Sequence, residues 1–116
     1  MPRRAADGNA VQLIASAAHS KGDYVVEGGF HGLVMNDCQQ GEIVVLDISR
    51  GLIEDVPLSG VAAGDELWMP VGGGAITNAP GSASGDHYLV GIATRDTDAS
   101  GTCAFRQAEQ GIVRTF

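Results

Sequence analysis

The segment DTDASG, residues 96–101, has the residue types that open a calcium-binding loop. In such a loop the twelfth position supplies a glutamate that binds the ion with both carboxylate oxygens. Counted from Asp96, the twelfth residue is Gln107, whose amide cannot do this. The flanking sequences also have strand patterns rather than helical ones. The segment therefore predicts a hairpin turn, with weak calcium binding as the alternative.

Glycine contributes 17 residues, and two glycine-rich stretches invite comparison with phosphate-binding loops. GGGAITNAPGSASG (72–85) and EGGFHG (27–32) both lack the Gly-Lys-Ser/Thr ending that contacts nucleotide phosphates and magnesium. Neither is followed by a helical pattern whose N-terminus would bind an anion. The glycines predict turns, and we expect no cofactor.

The spacing of the histidines and serines predicts no catalytic or metal site. No two of His19, His31 and His87 are two or four residues apart, so spacing does not indicate a metal. Ser59 and Ser84 lack the nucleophile-elbow pattern. We therefore expect no catalytic residues and no bound metal, and we predict that the protein is not an enzyme.

The two cysteines, Cys38 and Cys103, form no metal-binding motif. A disulfide between them is compatible with their number, but nothing else marks a secreted protein. Since free cysteine behaves as a small buried apolar residue, we expect two buried thiols.

The formal charge of −7 limits the partners of the chain. Arg3 and Arg4 form its largest basic cluster, whereas nucleic-acid binding needs a basic stripe. No apolar stretch approaches the roughly 20 residues of a transmembrane helix, and the N-terminus lacks the pattern of a signal peptide. We expect synthesis in the cytoplasm and no nucleic-acid or membrane partner.

A glycine followed by an acidic residue precedes a short apolar run four times, at Gly22, Gly41, Gly64 and Gly85. Glycine supplies the positive φ of a tight turn, and the β-branched and aromatic residues that follow suit a pleated surface. No segment has a sustained 3.6-residue period. The sequence therefore predicts an all-β fold, a small single-domain β-barrel or β-sandwich of short antiparallel strands.

Within this fold the strongest patterns are two hairpins and one central strand. Gly28 and Gly29 separate DYVVEGG from FHGLVMND, and a polar turn separates HYLVGIATRD from TCAFRQ. The run GEIVVLDIS is nearly continuous in apolar residues, which predicts a strand buried on both faces. Pro70 restricts residues 67–69 to a short or edge strand.

The two ends of the chain differ from its centre. Residues 1–21 are Ala-rich and lack a strong period, which predicts an irregular N-terminal arm before a β-domain at 22–116 with a C-terminal tail. Within the arm, AVQLIASAAH (10–19) fits a helical turn and a strand equally well. The tail GIVRTF (111–116) ends the chain on apolar side chains.

Three blocks of the sequence, 22–42, 51–68 and 89–101, share the order and spacing of a known family. They contain G-D-x-V-V…G-x-x-G-L-V…D…G-E, then G-x-x-A-G-D-x-L-W, then L-V-G-x-A…D…G. The chain resembles the head decoration, or cement, proteins of tailed phages, a family formerly filed as a domain of unknown function. The resemblance covers the chain apart from the arm and the tail.

The resemblance implies a structural virion protein that binds the outer surface of a tailed-phage capsid and stabilises the expanded head. Its partners would be the major capsid protein and itself, as a homotrimer on the capsid. The alternatives are a capsid-displayed β-module that binds a host or ligand through the 72–86 loop, and a tail or baseplate accessory domain.

We expect the two ends to supply the contacts with the capsid or with neighbouring subunits. Apolar residues of the arm gain little from exposure to water, which favours a segment that folds on binding, with a disordered or self-docked terminus as the alternative. The two arginines suit acidic capsid residues. The predicted contact residues are Arg3, Arg4, Val11, Leu13, Ile14, Ile112, Val113 and Phe116.

Overall fold

A computed structural model describes residues 9–116, which form two compact units divided between Ser49 and Arg50. Each unit contains one antiparallel sheet of short strands. Arg3, Arg4 and the rest of residues 1–8 lie outside the described part of the chain. Across residues 9–116, no helix is long and apolar enough to span a membrane.

The first sheet has four strands in the order β1-β4-β3-β2. Gly28 and Gly29 both have positive φ and join β2 to β3 in the predicted hairpin, with Glu27 paired to Phe30. The strands are β1 (Ala10–Ile14), β2 (Tyr24–Glu27), β3 (Phe30–Val34) and β4 (Ile43–Asp47).

Within residues 10–19, Ala10–Ile14 form a strand and no residue is helical. β1 pairs with β4 from Ala10↔Asp47 to Ile14↔Ile43, and His19 forms a β-bridge with Cys38. β1 is therefore an edge strand of the first sheet. The division of the chain into an arm (1–21) and a β-domain (22–116) stays a prediction.

One face of the first sheet covers the core of its unit. The buried residues are Ala15, Val34, Cys38, Val44 and Leu46, and partly buried apolar residues pack against them. In β4, Val44 and Leu46 are fully buried whereas Ile43 is 53% exposed. The prediction that this strand is buried on both faces is therefore wrong. Successive side chains of a strand point to opposite faces, and along β4 the residues of one face are buried whereas Ile43 on the other face is exposed.

The second sheet has the order β5-β8-β7-β6, and β9 pairs with the N-terminal part of β7. β7 and β8 form the second predicted hairpin, and β6, which ends at Pro70, lies at an edge as expected. The strands are β5 (Leu52–Val56), β6 (Glu66–Pro70), β7 (Asp86–Arg95), β8 (Cys103–Gln107) and β9 (Val113–Thr115).

The core of the second unit lies around β6, β7 and β8, where Leu67, Val90 and Phe105 are fully buried. Gly91 permits this packing, because a Cβ at that position would overlap the Phe105 ring and the Arg106 carbonyl oxygen. The all-β class and the short antiparallel strands are confirmed, and neither sheet closes into a barrel.

Candidate interaction surfaces

The predicted contact residues of the N-terminal segment lie on both faces of β1. Val11 and Leu13 pack against the core of the first unit, opposite the buried Leu46 and Val44. Ile14, in contrast, is 66% exposed. Only Ile14 of these three therefore presents most of its side chain to a partner.

A buried carboxylate holds the segment that follows β1. Glu27, at the end of β2, is 4% exposed, and its Oε2 accepts hydrogen bonds from the Ser16 amide (2.8 Å), the Ser16 hydroxyl (3.0 Å) and His19 Nε2 (2.7 Å). Burial raises the pKa of Glu27, but the hydrogen bonds from His19 and Ser16 outweigh burial and hold the pKa below its ordinary value of 4.5. We call this group the Glu27 clamp. It fixes the position of the chain directly after Ile14.

Ile14 belongs to a larger exposed cluster that the sequence patterns did not predict. It pairs directly with Ile43 on β4, which is 53% exposed, and the Met35 amide donates to the Val45 carbonyl on the same strand. Directly paired residues of an antiparallel sheet share a face, as do residues two apart in a strand. Ile14, Met35, Ile43 and Val45 therefore form one surface, the apolar patch.

Ile43 was missed because β4 was expected to be buried on both faces, and Met35 because contacts were expected only from the two ends of the chain. A continuous apolar run does not reveal which of its two faces has a partner. The polar residue Gln12 is exposed on β1, but only its pairing with Val45 in the structure relates it to the open face of β4.

The predicted contact residues of the tail lie on and beside β9. Ile112 and Val113 are 41% and 47% exposed. Phe116 instead packs edge-on against Trp68 and His87, with ring centroids 5.1 and 5.4 Å apart, and exchanges two backbone hydrogen bonds with Gly85. Phe116 thus anchors the tail, whereas the other two side chains stay open to contact.

Arg114 completes the contacts of the tail with Trp68. Its guanidinium carbon lies 5.0 Å from the Trp68 ring centroid, within the range of a cation–π contact. Trp68 is 2% exposed, and its amide and carbonyl pair with Thr77 at 2.8 Å each. The tail and the 72–85 loop therefore both pack around this residue.

The loop between β6 and β7, proposed as a ligand site in the alternative function, is bound to the body of its unit. Asn78 Nδ2 donates to the Gly60 carbonyl (3.0 Å) and to the Asp65 carboxylate (3.2 Å). Hydrogen bonds from the Ala62 amide and from Asn78 lower the pKa of Asp65. The Asp65 carboxylate, directly before β6, thus helps to hold the 72–85 loop in place.

The segment DTDASG forms the predicted hairpin turn. Asp98 Oδ1 accepts from the amides of Ser100 (2.9 Å) and Thr102 (3.1 Å), and the Thr102 hydrogen bond is the main cause of the lowered pKa of Asp98. In residues 9–116, no three His, Cys, Asp or Glu side chains are placed to hold a metal ion. The acidic side chains here cap backbone amides.

The two cysteines, His31 and His87 are buried within the fold. Both cysteines are buried free thiols, as predicted, and burial raises the pKa of Cys103. His31 Nδ1 lies 2.7 Å from the Tyr24 hydroxyl, and His87 Nδ1 donates to the Gly85 carbonyl at 3.1 Å. These contacts are structural, and they assemble no nucleophile with a base.

Comparison with known proteins gives one family. A family model described as phage cement protein matches residues 5–108, which include both sheets except β9. Searches of the curated proteins and of the solved structures gave no match.

Proposed function

Since the chain belongs to the phage cement protein family, a structural and not an enzymatic family, we propose that it binds the outer surface of a tailed-phage capsid and stabilises the expanded head. The family match over residues 5–108 is the observation that carries this proposal. The described fold agrees with a binding role, because exposed apolar side chains stand on the faces and edges of its sheets.

Many copies on a closed shell explain how a small domain stabilises a large particle. Each copy contributes a modest binding free energy, and linked sites act together because they share one lattice. The charge of −7 opposes contact with packaged DNA, which favours the outer surface. The partners in this proposal are the major capsid protein and two further copies, in a homotrimer on the capsid.

The proposed contacts use the two ends of the chain in two ways. Ile14, Ile112 and Val113 touch the partner through their exposed side chains. Val11, Leu13 and Phe116 hold β1 and β9 in place through their packing inside the units. Arg3 and Arg4 pair with carboxylates of the capsid.

Co-sedimentation with expanded capsids that lack the protein tests the proposed function. We expect saturable binding at a fixed ratio to the major capsid protein, and a higher temperature of head disruption when the sites are filled. Absence of binding, or binding that leaves head stability unchanged, would contradict the proposal.

Two N-terminal deletions test the arm. Deleting residues 1–8 removes both arginines and leaves β1 intact, and we expect it to weaken capsid binding by about tenfold, 1.4 kcal/mol. Deleting residues 1–18 also removes β1 and Ser16 of the Glu27 clamp, so we expect it to lower the stability of the first unit. Unchanged capsid affinity after the short deletion would show that Arg3 and Arg4 do not contribute to the interface.

A further inference from the structure

The exposed apolar side chains of the patch, and the carboxylates beside them, indicate what kind of surface it binds. We propose that Ile14, Met35 and Ile43 dock on an apolar site of the capsid surface that is bordered by Lys and Arg side chains. This inference rests on the proposed function and adds to it the contacting face and the character of the surface that it meets.

The patch lies on the face of the first sheet that points away from the core of its unit. Along β4, Val44 and Leu46 are fully buried and face that core, so Ile43 and Val45 face the other way. Ile14 faces outward because it is paired with Ile43. Met35 also faces outward, because its backbone amide donates to the carbonyl of Val45. The exposed fractions are 66% for Ile14, 53% for Ile43 and 44% for Met35.

The outward face of the second sheet is built differently. There the exposed residues form a row across four strands, in which Leu52 and Ile92 flank Arg106, and Glu66 follows. Alternation with charged side chains is typical of a surface that stays in water. In the apolar patch, by contrast, the cross-strand neighbours carry no charge. The exposed apolar area is therefore contiguous, which is typical of an interaction site.

Carboxylates border the patch. Asp37, Glu42 and Asp47 each lie within two residues of a patch residue. Their oxygens accept hydrogen bonds from the backbone amides of Lys21 (2.9 Å), Gln39 (2.6 Å) and Ser49 (2.9 Å). Because these bonds already fix the carboxylates, little side-chain entropy is lost when a partner's cations approach them.

The acidic character of residues 9–49 favours the capsid, and not a second copy of the chain, as the partner of the apolar patch. Residues 9–49 contain five acidic residues and Lys21 as their one Lys or Arg. Two copies that met through this face would bring like charges together, which costs free energy, whereas a basic border would complement them. The patch therefore fits an apolar surface with a basic rim.

Paired substitutions test the patch. The Ile14→Thr/Ile43→Thr variant keeps β-branched side chains in both strands and removes apolar area. We expect its affinity for expanded capsids to fall at least about tenfold, because central apolar contacts carry most of the binding free energy. Leu52→Thr/Ile92→Thr is the matched control on the second sheet and should bind within about twofold of the wild type. Equal affinities of the patch variant and the wild type would overturn the inference.

A measurement on the wild-type protein avoids any effect of the variants on folding. Peroxide oxidises exposed methionine to the sulfoxide, so Met35 should react in the free protein. Met69, 1% exposed, serves as the internal reference. We expect Met35 to be protected when the protein is bound to capsids. Equal oxidation of Met35 in the free and bound protein would place the contact elsewhere.

Salt dependence and self-association test the nature of the partner. Capsid affinity should decrease as salt is raised, because salt screens the attraction between the carboxylates and a basic rim. Affinity independent of salt would contradict that rim. Self-association of the wild type that is lost in Ile14→Thr/Ile43→Thr would make a second copy the occupant and overturn the assignment to the capsid.

These experiments separate the inference from the proposed function. Wild-type protein that fails to bind capsids contradicts the proposed function, and the inference falls with it. Wild-type protein that binds capsids with Met35 unprotected contradicts the inference alone.

Discussion

At the scale of single residues, the buried carboxylate of Glu27 accepts several hydrogen bonds. Three donors from Ser16 and His19 meet one carboxylate oxygen that is almost excluded from water. A buried charge costs free energy unless it is hydrogen-bonded, so the contacts and the charge depend on each other. The clamp links β2 to the segment after β1 and therefore stabilises the strand that carries Ile14.

Glu27→Gln should lower the free energy of unfolding by about 1–3 kcal/mol at pH 7, because the neutral amide accepts these bonds more weakly than a carboxylate. The folded-state pKa of Glu27 is below 4.5, so its contribution is present above that pH and is lost as the pH falls through the folded-state pKa. Urea unfolding at pH 7 and in acid measures both effects.

Glu54→Gln is the matched control for Glu27→Gln, since Glu54 is exposed on β5. Its unfolding free energy should stay within about 0.5 kcal/mol of the wild type. If Glu27→Gln is as stable as the wild type at pH 7, the clamp does not stabilise the first unit.

Gly91 has the sharpest steric requirement in the second unit. Gly91→Ala should lower the free energy of unfolding by about 1–3 kcal/mol or more, because the added methyl group enters the space of Phe105 and of the Arg106 carbonyl. Gly72→Ala is the control, since no atom lies within 4 Å of a Cβ built there. Thermal unfolding of both variants measures the difference, and equal midpoints would contradict the close packing at Gly91.

At the scale of elements, β9 is a three-residue strand whose side chains are all exposed. The pairing with β7 and the packing of Phe116 against Trp68 and His87 hold it in place. A strand of this length gains little from pairing alone, so the terminal aromatic residue supplies much of its attachment.

Phe116→Ala should therefore expose Trp68, the one tryptophan of the chain. We expect stronger quenching of its fluorescence by acrylamide and an emission maximum at longer wavelength. Val113→Ala alters an exposed side chain of the same strand and should leave quenching unchanged. Trp68 emission that is identical in Phe116→Ala and in the wild type would show that the tail does not shield it.

At the scale of the whole molecule, net charge opposes self-association in solution. Each copy carries a formal charge of −7, and at low salt the repulsion between like-charged copies opposes association through a few exposed apolar side chains. We predict a monomer in free solution and a trimer on the capsid, where the shared lattice raises the effective concentration.

Sedimentation equilibrium of the free protein at low and high salt tests this prediction. We expect the monomer mass at low salt and more association at high salt, because salt screens the repulsion. A stable trimer at low salt would show that an interface between copies forms without the capsid. A capsid reconstruction with isolated monomers or dimers at every site would contradict the trimer on the capsid.

The sequence by itself determined the strands in the central part of the chain, its turns and the family. Turn chemistry is local: Gly28 and Gly29 adopt positive φ in the β2–β3 hairpin, and Asp98 caps the turn before β8, as their residue types predicted. Family membership also follows from local signals, because the matching blocks are glycines and acidic residues at the starts of strands. The absence of a helical period was enough for the all-β class.

Only the tertiary structure decided which apolar side chains stay exposed. Val44 and Ile43 are adjacent and chemically alike, yet one faces the core and the other faces water, because sheet pairing and a core on one side set the direction of each. The same pairing placed β1 at a sheet edge, turned Val11 and Leu13 inward, and brought Met35 beside Val45. These are contacts between distant parts of the chain, which residue type and spacing do not encode.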